Sequence, residues 1–239
     1  MLVAILSDIH GNIEALDAVW LDMASLQVER VVCLGDVVGY GPNPEEAVIS
    51  VRERGVLCCM GNHELGLVNA SERAWFNTTA QKGLGLTASL LSSESFQYMA
   101  SLPRFACLAE ARFVHGFPPD SVTTYLFDVD EEELAAWFGR GEALTFVGHT
   151  HDLGLVSWNG TEVVRRDLVR ERFVLDGSPC LVNAGSVGQP RDGNNNAKYL
   201  IWDTQTGLIE VRFVPYDIER TVAKIRARGF PEYYATRLW

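Results

Sequence analysis

Apolar positions along the chain change their spacing twice, and each change marks a different kind of element. Met1 to Leu6 is an unbroken apolar run that meets Ser7 and Asp8, which predicts a buried strand over Leu2–Ser7. From Ile13 to Leu26 the apolar residues Ile13, Leu16, Val19, Trp20, Met23 and Leu26 recur at intervals of three and four, the period of a one-faced helix. Val31–Gly35 reads as the next strand. Asn43-Pro44-Glu45-Glu46 then supplies a cap, a proline for the first turn and two acids, opening a helix that ends at Gly55. Val56–Met60 is a third apolar run. A β-α-β-α-β order with short connections predicts right-handed crossovers and a parallel sheet, whose ligand-bearing loops lie at the carboxyl ends of its strands.

The pattern loosens from Ala70 to Leu102, where a helical tendency is interrupted by Gly83, Gly85 and a serine-rich stretch. This segment is expected to be either a helical cap over a site or a plain helical pair. The acidic run Asp128–Glu133 fits a solvated helix start. In the last third the period falls to two. Short runs at Leu153–Trp158, Glu162–Asp167, Arg172–Leu175, Cys180–Asn183, Lys198–Asp203 and Leu208–Pro215 are punctuated by Asn159-Gly160, Asp176-Gly177 and Thr206-Gly207. These are hairpin signals, so a second sheet is expected to follow the parallel one. A helix from Asp217 to Arg228 and a short tail complete residues 217–239. No Pro, Gly or Ser-rich linker and no repeat divides residues 1–239, which reads as a single domain.

Composition narrows the classes of function. The 239 residues are 47% hydrophobic and 21% charged, the balance of a folded globular protein. Acids outnumber bases 31 to 20, for a net charge of -11, which disfavours broad binding to nucleic acid or to an anionic membrane. The apolar start lacks a basic leader and a cleavage site, and no run approaches a membrane span, so a cytoplasmic location is expected. The five cysteines, Cys33, Cys58, Cys59, Cys107 and Cys180, have no CxxC spacing and sit in strand-like runs, where they are expected as buried, reduced thiols.

The chemistry lies in the five histidines. Asp8-Ile9-His10 follows the first strand, Gly35-Asp36-Val37-Val38-Gly39 the second and Gly61-Asn62-His63-Glu64 the third. His115 follows the apolar Phe113-Val114, and Gly148-His149-Thr150-His151 follows Phe146-Val147. Residues two apart on extended chain face one side, so Asp8 with His10, and His149 with His151, converge. One histidine at a strand end is ordinarily a satisfied core residue. Five of five, with two aspartates among them, point to a metal site. Imidazole and carboxylate without thiolate suit Mn, Fe, Zn, Co or Ni, whereas an all-oxygen set would suggest Mg or Ca.

These motifs, DxH, GDxxG, GNH[DE], a solitary His and GHxH, stand complete and in order, and with them the chain resembles the calcineurin-like metallophosphoesterase superfamily. Ser7–Asn12, Gly39-Tyr40-Gly41-Pro42 and Asn183–Asp192 resemble more narrowly a small prokaryotic phosphodiesterase branch related to diadenosine tetraphosphatase, although Ala184 stands where that branch usually has proline. The resemblance implies an α/β fold, a four-layer αββα sandwich of two mixed β-sheets flanked by helices. It also implies two divalent ions per chain, Mn foremost, with Fe, Zn, Ni or Co as alternatives. One ion would take Asp8, His10, Asp36 and His151; the other would share Asp36 and add Asn62, His115 and His149. A hydroxide bridging the ions would attack phosphorus in line.

In such a site His63 would be no ligand but a general acid or charge stabiliser beside the scissile phosphate, and Glu64 would either orient it by a side-chain contact or be a surface or helix-starting residue. Asn12 is a candidate helix cap, phosphate contact or both, and Arg191 a candidate second phosphate contact. The implied reaction is hydrolysis of phosphodiester or dinucleotide polyphosphate bonds, on a small phosphodiester or nucleotide substrate. A phosphoprotein phosphatase and a non-catalytic interaction scaffold of the same fold are the alternatives. The six tryptophans are expected mostly in the core, with Trp75 or Phe76 available to stack on a base.

Overall fold

A computed structural model describes residues 1–239. Its elements run β1 (Leu2–Leu6), α1 (Ile13–Met23), β2 (Arg30–Cys33), α2 (Pro44–Glu53), β3 (Leu57–Cys58), α3 (Asn62–Val68), α4 (Ala70–Arg73), α5 (Thr78–Ser89), α6 (Ser93–Ala100), β4 (Phe105–Leu108) and β5 (Ala111–Val114). They continue with α7 (Glu131–Phe138), β6 (Leu144–Val147), β7 (Leu153–Trp158), β8 (Val163–Asp167), β9 (Arg172–Val174), β10 (Cys180–Ala184), β11 (Ala197–Asp203), β12 (Leu208–Val214), α8 (Ile218–Ala227) and α9 (Glu232–Thr236). Two six-stranded mixed sheets result, ordered β3-β2-β1-β11-β12-β9 and β4-β5-β6-β10-β7-β8.

Alternation within single strands builds the layers. In β1, Val3 and Ile5 join the core between the two sheets, with Val32, Phe113, Phe146, Val182 and Leu200. Ala4 and Leu6 point the other way, into a core with Leu16 and Val19 of α1 and Val48 and Val51 of α2. Beyond the second sheet, Leu134, Trp137 and Phe138 of α7 pack on Val114, Val147 and Leu181. The outcome is the four-layer αββα sandwich. No helix is long and apolar enough to cross a membrane.

Parallel pairing of β1, β2 and β3 in one sheet, and of β5, β6 and β10 in the other, brings the carboxyl ends of all six strands to one rim. The last third departs from the expected separate sheet. β11 pairs antiparallel with β1, and β12 and β9 continue outward from it, while β10, β7 and β8 complete the other sheet. Asn159-Gly160 and Thr206-Gly207 do turn hairpins, β7–β8 and β11–β12. Asp176-Gly177 instead carries the chain from β9 in one sheet to β10 in the other. The third strand is only two residues long, because Met60 N–H already bonds the Pro103 carbonyl.

All five cysteines are unpaired, but Cys107 is exposed on β4, which corrects the expectation of burial for that residue. Asn43 holds the cap position of α2 without a side-chain capping bond, its amide donating to Glu46 instead. Residues 72–80 form one wall of a cavity at the strand-end rim, whereas α6 belongs to the core layer through Phe96 and Met99. The C-terminal helices pack on α5 and reach the same rim through Tyr234, whose ring meets Tyr40 at 4.9 Å.

Candidate active site

Three strands of the rim, β1, β2 and β6, end in abrupt turns that aim side chains inward. Asp8, His10, Asp36, Tyr40, His149 and His151 all adopt positive φ, between 51° and 66°, a conformation costly for residues other than glycine. The other two such residues, Ala109 and Glu110, merely join β4 to β5. Backbone hydrogen bonds between loops hold these turns: His10 N–H to Asp36 O at 2.9 Å, Gly148 N–H to His115 O at 2.9 Å and Gly188 N–H to Asp8 O at 2.9 Å. Close approach also demands glycine. A methyl group on Gly61 would lie 2.2 Å from Asp36 Oδ1, and one on Gly39 1.9 Å from His63 Nδ1.

Asp8, His10 and His151 bring their donor atoms within 4.8 Å of one another, as do Asp36, His115 and His149, and also His10, Asp36 and His63. Asp8 Oδ1 lies 3.2 Å from His151 Nε2 and 3.6 Å from His10 Nε2. Asp36 Oδ2 lies 3.7 Å from His10 Nε2 and 3.4 Å from His115 Nε2, so one oxygen faces both groups. Asn62 Oδ1 is 3.0 Å from His115 Nε2.

Four imidazoles are anchored by their outer nitrogens. His10 Nδ1 meets Val38 O at 3.0 Å, His115 Nδ1 meets Leu34 O at 3.2 Å, His151 Nδ1 meets Gln189 O at 2.6 Å, and His149 Nε2 meets Thr123 O at 3.1 Å. A carbonyl accepts only, so each of these nitrogens carries the proton and the inner nitrogen presents a lone pair. This is the arrangement that fixes the tautomer of metal-binding histidines. Buried Asp8 Oδ1 has no hydrogen-bond partner among these lone pairs, and a cation would supply what the donor set lacks.

The charge balance agrees. Burial works against ionisation of Asp36, yet His115 and His63 hold its carboxyl well below the usual carboxylate range. Burial likewise opposes ionisation of Asp8, and His151 and His10 keep it low. Burial disfavours the His115 cation, but Asp36 and then Asp8 raise that imidazole to about 9. Burial pushes His149 down to about 4, His115 adding to the effect, and burial also lowers His151 against the pull of Asp8.

His63 differs from the other four. No carbonyl anchors its ring, Nδ1 is buried without a partner, and burial pushes it down to about 3 against the pull of Asp36. Its ring is held by neighbouring rings instead, Tyr40 at 4.4 Å, His10 at 4.9 Å and Phe76 at 5.3 Å. Glu64 makes no side-chain hydrogen bond to His63 and is not at the surface; it is a helix-starting residue, at the third position of α3 with its carboxylate accepting from the cap N–H of Gly61. Fully buried, it accepts from the backbone N–H groups of Asp36 and Gly61 at 2.8 Å and of Val38 at 3.1 Å.

Asn12 caps α1 by accepting from Ala15 N–H at 3.2 Å, and its amide donates to Gly188 O at 2.9 Å. With the Thr221 hydroxyl also donating to Asn12 Oδ1, both polar atoms are taken up by the protein. The cap is realised, and Gly188 engages one of the two amide hydrogens. Arg191 is half-buried, with Nη2 on Gln189 Oε1 at 3.1 Å and Nε without a partner, and its guanidinium carbon lies 5.9 Å from the Tyr40 ring centre.

Comparison with known proteins follows the same lines. The family model described as calcineurin-like phosphoesterase superfamily domain matches residues 1–207. The chain belongs to that superfamily. An uncharacterised protein of Methanocaldococcus jannaschii is 33% identical to this phosphoesterase-family chain over 246 residues, covering all of it and 97% of the relative. A metallophosphoesterase of Sphaerobacter thermophilus superposes with a TM-score of 0.86 at 32% identity, over 100% of this chain and 98% of that one. A hypothetical protein of Pyrococcus horikoshii shares the fold alone, with a TM-score of 0.82 at 19% identity over 100% and 97% of the two chains.

Beside the candidate centre of this phosphoesterase-family chain opens a cavity of about 440 Å³, with Asn62 and His149 on its inner side and Trp75, Phe76 and Tyr125 among its walls. Tyr125 stacks on His149 at 3.8 Å, a contact that no local motif announced. Tyr40 is likewise invisible to a search for ligands. Its only sequence signal was its place between two glycines in Gly39-Tyr40-Gly41-Pro42.

Proposed function

We propose that the chain hydrolyses phosphate esters, diesters or dinucleotide polyphosphates in preference to monoesters, with two divalent ions held by its histidines and aspartates. The observation that carries this reading is the anchoring of His10, His115, His149 and His151 by backbone carbonyls, which turns four lone pairs toward Asp8 and Asp36. Asp8, His10, Asp36 and His151 would hold one ion; Asp36, Asn62, His115 and His149 the other. The shared position of Asp36 is supported by its Oδ2, which faces histidines of both groups. Bound ions, Mn foremost and Fe, Zn, Ni or Co as alternatives, would clamp the phosphoryl group and activate water near neutral pH.

The chain's own residues supply the rest. His63 has no anchoring partner, so its ring is free to take a phosphate or leaving-group oxygen, whose negative charge favours the protonated imidazole that an alkoxide needs to depart. The unpartnered Nε of Arg191 suits a second phosphate contact.

The test is turnover of bis-p-nitrophenyl phosphate against p-nitrophenyl phosphate by metal-stripped protein to which Mn is returned. Faster turnover of the diester is expected. No turnover of either with two ions bound would overturn the reading in favour of a scaffold, and turnover of phosphopeptides alone would favour a phosphoprotein phosphatase.

A further inference from the structure

The cavity beside the candidate centre has a lining unlike that of the centre itself. Its walls carry four aromatic rings, Tyr40, Trp75, Phe76 and Tyr125, and no lysine or arginine. Its single charged wall residue is Glu72, which is half-buried and engages no ion pair or side-chain hydrogen bond. A chain of further phosphates would find no cation here and one repelling carboxylate. Phe76 presents its edge relationship to His63, and Tyr125 is stacked on both His149 and Phe127. Trp75 alone has no ring or cation against it and is 87% exposed, the largest unpartnered flat surface in the site.

Resting on the phosphoesterase reading above, we infer that this cavity is the subsite for a nucleobase bearing an exocyclic amino group, carried by the ester whose phosphate sits at the centre. Trp75 is its stacking platform, and Glu72 accepts from the amino N–H. A volume of about 440 Å³ lies within the roughly 300–1,000 Å³ range of small-ligand sites and far exceeds what a small alkyl group fills. Stacking of a base on an aromatic side chain serves any base, since each has a π-face, so the carboxylate is the element that discriminates. Trp75 and Glu72 are specificity residues on the segment that walls the cavity, and neither has a role in the chemical step.

Calorimetric titration of the Mn-loaded protein with adenosine 5′-monophosphate and with ribose 5-phosphate decides the matter. The adenosine ester is expected to bind at least about tenfold tighter, the scale of one base stacked on an aromatic side chain. Trp75→Ala should bring the affinity ratio close to one, and Trp75→Phe should keep most of it. Glu72→Gln should erase any preference for adenosine over inosine 5′-monophosphate. Equal binding of the adenosine and ribose esters by the unaltered protein would overturn the inference. So would an unchanged ratio in Trp75→Ala, or phosphocholine binding tighter than the adenosine ester, since aromatic rings with a carboxylate also host quaternary ammonium groups. Hydrolysis of bis-p-nitrophenyl phosphate by the same preparation reports the hydrolase reading separately. Turnover with equal affinities discards the subsite alone, and a tenfold ratio without turnover discards the hydrolase alone.

Discussion

His63 and Glu64 are neighbours in sequence with opposite tasks. The His63 ring lacks a fixed hydrogen-bond partner, while the Glu64 carboxylate holds three backbone N–H groups from the two loops that follow β2 and β3. His63→Ala should therefore slow esters with alkoxide leaving groups by about 10²–10⁴-fold and p-nitrophenyl esters far less, since p-nitrophenolate departs unaided. Steady-state rates on a matched pair of diesters check this, and equal losses would remove the acid role. Glu64→Ala should lower stability by roughly 3 kcal/mol, because each buried N–H left without an acceptor costs about 1–3 kcal/mol; urea unfolding of the metal-free protein measures it. The ligand types were legible because histidine and aspartate at the ends of apolar runs are rare and specific. The Glu64 and Asn12 partners were not, because they are main-chain groups of distant loops, and a main-chain group has no letter in the sequence.

The elements themselves show what periodicity conveys and what it omits. Strand positions in the last third were read within a residue or two, since alternation there is strong. Sheet membership was not, because Asn-Gly and Asp-Gly specify that the chain reverses and say nothing about which edge the next strand finds. β11 entered the first sheet where both its faces could be buried, Leu200 and Trp202 toward the second sheet and Tyr199 and Ile201 toward the helices. One side-chain cluster ties that layer to α1: Asp22 accepts from the Tyr199 hydroxyl at 2.7 Å and from Arg212 Nε and Nη2 at 2.9 and 2.7 Å. Burial opposes ionisation of Asp22, but Arg212 and Tyr199 hold its carboxyl below the usual range. A carboxyl lowered on folding stabilises above its unfolded value of about 3.9, and that contribution is lost as pH falls through the lower folded value. Asp22→Asn should thus lower the melting temperature at pH 7 and narrow its distance from the unaltered protein below about pH 3. Thermal melts across that range test it.

At the scale of the whole molecule, the net charge of -11 and the proposed phosphate site are compatible, because two bound dications would leave about -7 and concentrate positive charge where the phosphate sits. Ions that bind only the folded chain also stabilise it. Two sites, each at about a hundredfold excess over its Kd, add about 2.7 kcal/mol apiece, so metal-stripped protein should melt roughly 10–20 °C lower than metal-loaded protein in a calorimetric scan.

The position of β11 against β1 governs the order in which a growing chain becomes able to bind metal. Both sheets are completed by strands drawn from the last third: β10 is wedged between β6 and β7, and β11 between β1 and β12. Asp8, which precedes both in the chain, waits for His151 and for the Ser186 hydroxyl that bonds its carbonyl at 2.8 Å. On the ribosome, then, the metal centre is a late event, and chains halted before residue 197 should take up no Mn, whereas release of the full chain should restore uptake.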